Sequence, residues 1–257
     1  MPARRERLGE LVAEEGFLTV ADASVRLGVS EVTIRSDLRA LEGAGILRRV
    51  HGGALAAGGA AREAPVEASA ELDAASKRAI GRRAAALVRS GTSVMIDVGS
   101  TTLAVARALV ERTDIADLVV VTNGLSIALV LEAAIPRFTV VVTGGTLRPL
   151  QHSLVDPLAG QTLAGLHADI AIVGCTGIDD EGRVTNVNLP ETQVKRAMLA
   201  AAADQVIVAG SSKLGVRHLG LVTTLDASAT VVTAGPGAEP FRAAVERTGA
   251  RMLVATG

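Results

Sequence analysis

Residues 30–54, SEVTIRSDLRALEGAGILRRVHGGA, decide how the N-terminal part of this chain folds. Ser30 offers a side-chain acceptor where a helix start leaves N–H groups unsatisfied, and Ile34, Leu38 and Leu41 then recur at i, i+4 and i+7 as one apolar stripe. The opposite face carries Thr33, Arg35, Ser36 and Arg39. Hydroxyls and guanidiniums are the groups that reach phosphate oxygens and the guanine edge in the major groove of duplex DNA. Gly43 and Gly45 end the helix, residues 46–50 read as a strand, and Gly52-Gly53 signals a turn flanked by Arg48, Arg49 and His51.

An amphipathic helix with arginines outside is by itself an ordinary solvated surface helix. Here the neighbouring segments add a context. Thr19 is placed to cap a helix over residues 20–27, Gly28 permits a tight turn, and Val29 is the apolar plug between two helices of a helix-turn-helix. An earlier helix, Arg4 to Glu15, carries Leu8, Leu11 and Val12 on one face to pack behind the pair. Three helices followed by a basic β-turn make a winged helix-turn-helix over residues 1–56. Residues 1–54 hold eight arginines against eight acids, so any attraction to DNA must come from how charge is distributed, not from a net excess.

The run from Thr19 to Ala54 resembles the winged helix of the DeoR family of bacterial sugar-metabolism regulators, through VSEVTIRSDL, GAGIL and RRVHGGA. The expected DNA-contacting set is Thr19, Ser30, Thr33, Arg35, Ser36, Arg39, Arg48, Arg49 and His51. Ser36 departs from the family pattern, which usually has a second basic residue there, so a cation that could meet a base or phosphate is missing.

At 257 residues, 49% of them hydrophobic, the chain has length for two domains and apolar mass for a substantial core. With no Trp, no Tyr and three Phe, that core must be aliphatic, and base-stacking platforms for single strands are excluded. The single Cys175 forbids an internal disulfide, the charged N-terminus is unlike a signal peptide, and no apolar run spans a bilayer, so a cytoplasmic location is expected. Cys175 follows an apolar strand and reads as a small buried residue. His152, His167 and His218 lack partners at metal-ligand spacing, and neither a metal nor a cofactor is expected.

Residues 57–72 are rich in Ala and Gly and read as a linker with partial helical character. Beyond it, over 73–257, helical periodicity (from Lys77 to Val88, and over 103–111, 125–134, 158–166 and 191–203) alternates with short β-branched strands at 93–97, 118–122, 138–143, 170–174, 205–209 and 230–233. Such alternation predicts a parallel sheet covered on both faces, with ligands bound outside the carboxyl ends of its strands. Polar and glycine residues collect at those ends, in Asp97-Val98-Gly99-Ser100-Thr101-Thr102, Thr122-Asn123-Gly124, Thr143-Gly144-Gly145 and Gly174-Cys175-Thr176-Gly177. The first is a strand running through glycine into a hydroxyl-bearing helix start, which suits a phosphate, although Ser and Thr also start many helices for capping alone.

Residues from Lys77 to about Thr233 resemble the DeoR-type effector domain, a three-layer α/β/α fold of the ribose-5-phosphate isomerase/CoA-transferase-like type, through DVGSTT, TNG, GGTLRP, SLVDPLA, ADIAIVG, ETQVKRAM and SSKLG. The resemblance implies a sensor for a phosphorylated sugar or related metabolite. Asp97, Gly99, Ser100, Thr101 and Thr102 would form the phosphate loop, and Asn123, Gly145 and Gly177 would line the pocket. Glu191 would accept from sugar hydroxyls, Lys195 would face the same cleft, and Lys213 would add positive charge. Val98, Asp156 and Gly210 stand where the family usually has Ser, Gly and Asp.

The function expected is a repressor of a carbohydrate-catabolic operon, homo-oligomeric (dimer or tetramer) on duplex DNA and relieved by a small phosphorylated effector, without catalysis and without a membrane partner. Two alternatives compete. One is a sugar-phosphate isomerase fused to a DNA-binding module, with Asp97, Asp179, Asp180 and Glu191 as carboxylates and Lys195 or Lys213 stabilising an enediolate. The other is a DNA binder with a vestigial pocket.

Overall fold

A computed structural model describes residues 2–15, 17–50, 52–56, 66–71 and 73–256. The chain separates into two compact units, Met1–Leu72 and Asp73–Gly257.

The first unit opens with α1 (Pro2–Glu15), β1 (Phe17–Thr19), α2 (Val20–Leu27) and α3 (Glu31–Gly43), then the strands β2 (Leu47–Val50) and β3 (Gly53–Ala56), and it ends in the short helix α4 (Val66–Glu71). The residues that nucleate each turn are visible in the bonds. Thr19 accepts from the Asp22 amide at 2.9 Å, and Ser30 accepts from that of Thr33 at 3.3 Å. Between α2 and α3 the backbone turns left-handed at Gly28, and the Ser24 hydroxyl donates to the Val29 carbonyl at 2.6 Å, closing the turn. Leu8, Leu11, Val12, Leu18, Val20, Ala23, Ile34, Leu38, Leu41, Leu47 and Ala54 form one core, with Val29 packed at its edge. β1 and β2 flank β3 antiparallel, which makes the wing. His51 lies outside the described residues, as does most of the stretch read as a linker; the described part, 66–71, is helical.

The second unit contains α5 (Ala74–Ala85), β4 (Ser93–Ile96), α6 (Ser100–Glu111), β5 (Leu118–Thr122), α7 (Leu125–Leu131), β6 (Phe138–Val142), β7 (Thr146–Arg148), β8 (Ser153–Val155), α8 (Leu158–Ala164), β9 (Ala168–Gly174), β10 (Gly177–Ile178), β11 (Arg183–Asn186), α9 (Leu189–Ala200), β12 (Ala202–Gly210), β13 (Gly220–Thr224), β14 (Ala229–Ala234), α10 (Ala238–Glu246) and β15 (Arg251–Val254). Seven strands form a parallel sheet in the order β15-β14-β12-β9-β4-β5-β6. Their side chains alternate between two cores, as period-2 geometry requires. Val94, Ile96, Ile170, Ile172, Val206 and Val208 pack with residues of α5, α6 and α7; Met95, Ala171, Val173, Ile207 and Ala209 pack with residues of α8, α9 and α10. The sheet is therefore the middle of three layers.

Besides β1, the elements absent from the sequence reading are the hairpin β7–β8 and a small antiparallel sheet, β10-β11-β13. Their strands are two to five residues long and carry no sustained alternation. Close backbone approach gives them away only in three dimensions: a Cβ on Gly177 would lie 2.4 Å from the Val216 carbonyl oxygen.

Candidate functional site

The strand order reverses between β4 and β9. From β4 the chain steps outward to β5 and β6; from β9 it steps the other way, to β12, β14 and β15. At such a switch the connections following two adjacent strands leave to opposite faces, and a crevice opens at their carboxyl ends. Asp97 follows β4 at that point, fully buried, with Oδ2 accepting the Gly174 amide from the end of β9 at 3.3 Å. The same oxygen is ion-paired with Lys195 on α9, also buried. Among the described residues, Oδ1 has no hydrogen-bond partner. Burial pushes the Asp97 carboxyl up to about 6, against the pull of Lys195. Burial alone would lower Lys195, but the charges of Asp97 and Glu191 outweigh it and hold the ammonium above its ordinary value.

A helix leaves the amides of its first turn without intrahelical partners, and those of α6 start immediately after the glycine turn at Gly99. Gly99 adopts φ 140°, its carbonyl accepts from the Leu103 amide at 2.8 Å and the Thr102 hydroxyl at 2.9 Å, and no side chain caps the helix. Thr101 and Thr102 are buried and Ser100 is half-buried. Glu191, one turn before Lys195, accepts at Oε1 from the Arg148 guanidinium of β7 and from the Ser153 hydroxyl of β8, the latter at 2.6 Å. The Arg148–Glu191 pair thus ties the hairpin to α9, one turn from the Lys195–Asp97 pair that ties α9 to the end of β4. Sequence reasoning passed over Arg148 and Ser153, although a lone arginine in the segment GGTLRP was a usable signal.

Lys213, in a 3-10 turn after β12, donates to the Cys175 carbonyl at 2.7 Å, which puts a third cation at the end of β9. Arg148, Lys195 and Lys213 thus bring three cations to the strand ends beside Asp97 and Glu191. Burial pushes the Cys175 thiol up despite both lysines, which keeps it protonated and unreactive.

Three of the expected pocket residues serve the scaffold. Asn123 is buried, with its amide oxygen accepting the Val98 N–H and its amide nitrogen donating to the Leu154 carbonyl, both at 3.1 Å. A Cβ on Gly145 would lie 2.4 Å from the Val155 carbonyl oxygen, so its glycine permits close contact with β8; Gly177 does the same beside Val216. Asp179 is likewise committed, accepting the amides of Glu181 and Arg183, both at 3.0 Å, and the Arg183 guanidinium at 2.7 Å. Among the described residues no three His, Cys, Asp or Glu side chains are grouped to hold a metal.

On the first unit, Arg35, Ser36 and Arg39 are exposed along α3, with Arg48 exposed on β2. Most arginines are already paired. Arg4 and Arg5 both bind the buried Asp37, at 2.6 and 2.8 Å, Arg35 binds Glu31 at 2.8 Å, and Arg49 binds Glu42 at 2.7 Å. Arg39 and Arg48 have no partner among the described residues. Thr19, Ser30 and Thr33 spend their hydroxyls at the helix starts: Thr19 also donates to Asp22 at 2.7 Å, and Ser30 and Thr33 share a bond of 2.9 Å.

Residues 4–58 match the DeoR-like helix-turn-helix domain, and residues 72–234 match the DeoR C terminal sensor domain. The chain belongs to the DeoR family of transcriptional regulators. Its relatives include the HTH-type transcriptional regulator GlpR of Haloferax volcanii, 34% identical over 98% of both chains. The HTH-type transcriptional repressor CsqR of Escherichia coli is 31% identical over 82% of this chain and 78% of that one. The glycerol-3-phosphate regulon repressor of Haemophilus influenzae is 31% identical over 82% and 80%. Among solved structures, ribose 5-phosphate isomerase A of Methanocaldococcus jannaschii overlaps 54% of this chain and 53% of its own, with 17% identity and a TM-score of 0.39.

Three of the four positions at which this chain departs from the usual DeoR pattern have a local setting in the structure. Asp156 accepts the Gly160 amide at 2.8 Å and so satisfies the start of α8. Val98 is buried, and its N–H is held by Asn123. A side chain at Gly210 would point toward the Asp73 carboxylate, 3.9 Å from its Cβ, so an aspartate there would meet a like charge. Ser36 is exposed, and nothing in the structure explains its choice.

Proposed function

We propose that this DeoR-family regulator represses a carbohydrate-catabolic operon, holding duplex operator DNA as a homo-oligomer through α3 and the wing. A phosphorylated sugar or related small phosphate, bound where β4 meets β9, relieves it. The observation that carries the effector half is Asp97: a fully buried carboxylate with one oxygen unpartnered among the described residues, beside a helix start with no side-chain cap. The phosphate belongs on the first-turn amides of α6 with Ser100, Thr101 and Thr102; a hydroxyl of the same molecule donates to Asp97 Oδ1. Glu191, Lys195 and Lys213 complete the charge around it. Relatives named for repression and for a glycerol-3-phosphate regulon support the same class of ligand and output.

Two half-sites about one DNA turn apart multiply the discrimination of one recognition helix, which is the reason for an oligomer. No described helix is long and apolar enough to cross a membrane, and a cytoplasmic location follows from the operator role. Domain limits of 1–56 for the winged helix, 57–72 for the linker and 73–257 for the sensor suit this division of labour.

An effector that favours the DNA-free arrangement a hundredfold weakens operator binding by up to about 2.7 kcal/mol. Gel-shift titrations with hexose, pentose and glycerol phosphates, paired with calorimetry, measure that coupling. Heat of binding with no change in operator affinity refutes the switch.

A further inference from the structure

Val32 is an apolar side chain 75% exposed on the first turn of α3. A single exposed apolar residue is ordinary on a protein surface; its position on this helix is not. At about 100° per residue, the buried Ile34, Asp37, Leu38 and Leu41 centre about 170° around the helix from Val32. Ser36 and Arg39 lie within about 40° of it. Val32 therefore stands on the midline of the face that carries the exposed guanidiniums, whose charge complements phosphate. In helix-turn-helix docking the N-terminal residues of the second helix meet base edges while arginines hold the backbone.

A valine side chain has no hydrogen-bonding group. In the major groove the apolar feature of the base edges is the thymine C5-methyl. We infer that Val32 is a specificity-determining residue that reads a thymine methyl in each operator half-site. This inference rests on the operator-binding reading above. Val25 on α2 is equally bare, at 83% exposed, but the first helix crosses the backbone, where there is no methyl to meet. It serves as the control.

The test uses the full chain and a duplex obtained by repeated selection from a random-sequence library. Each thymine is replaced singly by deoxyuridine, which removes only the methyl. One buried methyl is worth about fourfold in affinity. The parent protein should lose about that factor at one thymine per half-site. Val32→Ala should bind the unmodified duplex about as weakly as the parent binds the deoxyuridine duplex, and should ignore the replacement; Val25→Ala should keep the parent's sensitivity. Both side chains are exposed, so neither change threatens folding. Equal affinity of the parent for every singly replaced duplex overturns the inference, and so does a Val32→Ala protein that keeps the sensitivity at the same thymine. A chain that selects no duplex overturns the operator reading itself, a result distinct from tight, methyl-independent binding.

Discussion

Removing one member of the Asp97–Lys195 pair is the sharpest perturbation the sensor unit allows. Both side chains are buried, Asp97 completely and Lys195 to 3% exposure. In Lys195→Met the carboxylate keeps only the Gly174 amide at 3.3 Å and faces the charge of Glu191, which disfavours its ionised form. Breaking a buried pair from one side costs about 3–5 kcal/mol, because the survivor's charge is uncompensated. The double variant Asp97→Asn/Lys195→Met holds no stranded charge and should cost less than the sum of the singles, by a coupling of about 3 kcal/mol.

The pH dependence identifies which charge is stranded. The folded Asp97 carboxyl lies at about 6 against an ordinary 3.8, so the native state binds more protons than the unfolded chain between those values. Stability from this group therefore falls as pH rises from about 4 to 6 and is flat above. Lys195→Met removes both of that residue's downward pulls, so the falling window extends to higher pH. As pH rises, the deficit relative to the parent should grow by about 1.4 kcal/mol for each pH unit in which only the variant's Asp97 is protonated. Urea melts of the full chain at pH 5, 6, 7 and 8, followed on the sensor unit by hydrogen exchange, give these values. A deficit constant with pH, or single costs below about 1 kcal/mol that add in the double, refutes the reasoning.

Three further outcomes are expected. Thr233 is fully buried and its hydroxyl has no partner among the described residues, so Thr233→Val should stabilise the sensor unit by about 1 kcal/mol in the same melts. Asp37 is buried under Arg4 and Arg5, whose hydrogen bonds and charges hold its carboxyl below the usual range. It therefore contributes stability above its ordinary pKa that is lost as pH falls through the folded value. Asp37→Asn should lower protection of the α1–α3 amides at neutral pH by about 1–3 kcal/mol and flatten their acid sensitivity. Ser36→Arg should steepen the salt dependence of DNA binding by about one counterion; an unchanged slope in filter binding from 50 to 200 mM salt would place that side chain away from the phosphates.

Much of the architecture was legible because it is periodic. Ile34, Leu38 and Leu41 fixed the inner face of α3 from spacing alone, and the β-branched runs that became β4, β5, β6, β9, β12 and β14 carried their own strand signal. Helix starts were legible where a side chain caps its own turn, as at Thr19 and Ser30. The hairpin β7–β8 and the small sheet were not, because their strands are too short for a period to register. Within the site, Asp97, Glu191 and Lys195 were anticipated, yet their connection was not: Arg148 reaches Glu191 across 43 residues, and Lys195 reaches Asp97 across 98. Such pairings depend on the strand order, which spacing does not encode. The same gap explains Asn123, Gly145 and Gly177, where polar or small residues at strand ends suggested a lining and are consumed by backbone contacts.

The charge arrangement of the two units fits one functional requirement, that a small ligand's coupling energy be able to undo the grip on DNA. Asp37, Glu31 and Glu42 already hold four arginines of the first unit, so fresh phosphate contacts fall chiefly to Arg39 and Arg48. Any further contact from Arg35 must first exchange its Glu31 partner, which trims its net gain. Each phosphate neutralised contributes a nearly constant increment to the salt slope, so a face with few unpaired cations binds nonspecific DNA weakly. In the sensor unit the opposite holds: a carboxylate is buried with an oxygen left without a partner among the described residues, a costly arrangement that the proposed hydroxyl-bearing anion would relieve on binding. On the proposed reading, effector affinity is gained at the expense of the empty unit's stability, and the acidic partners on the winged helix limit the cations left for operator phosphates. If the effector binds through Asp97, Asp97→Asn should lose the response to it while keeping operator binding; a variant that still releases DNA at the parent's effector concentration would put the switch elsewhere.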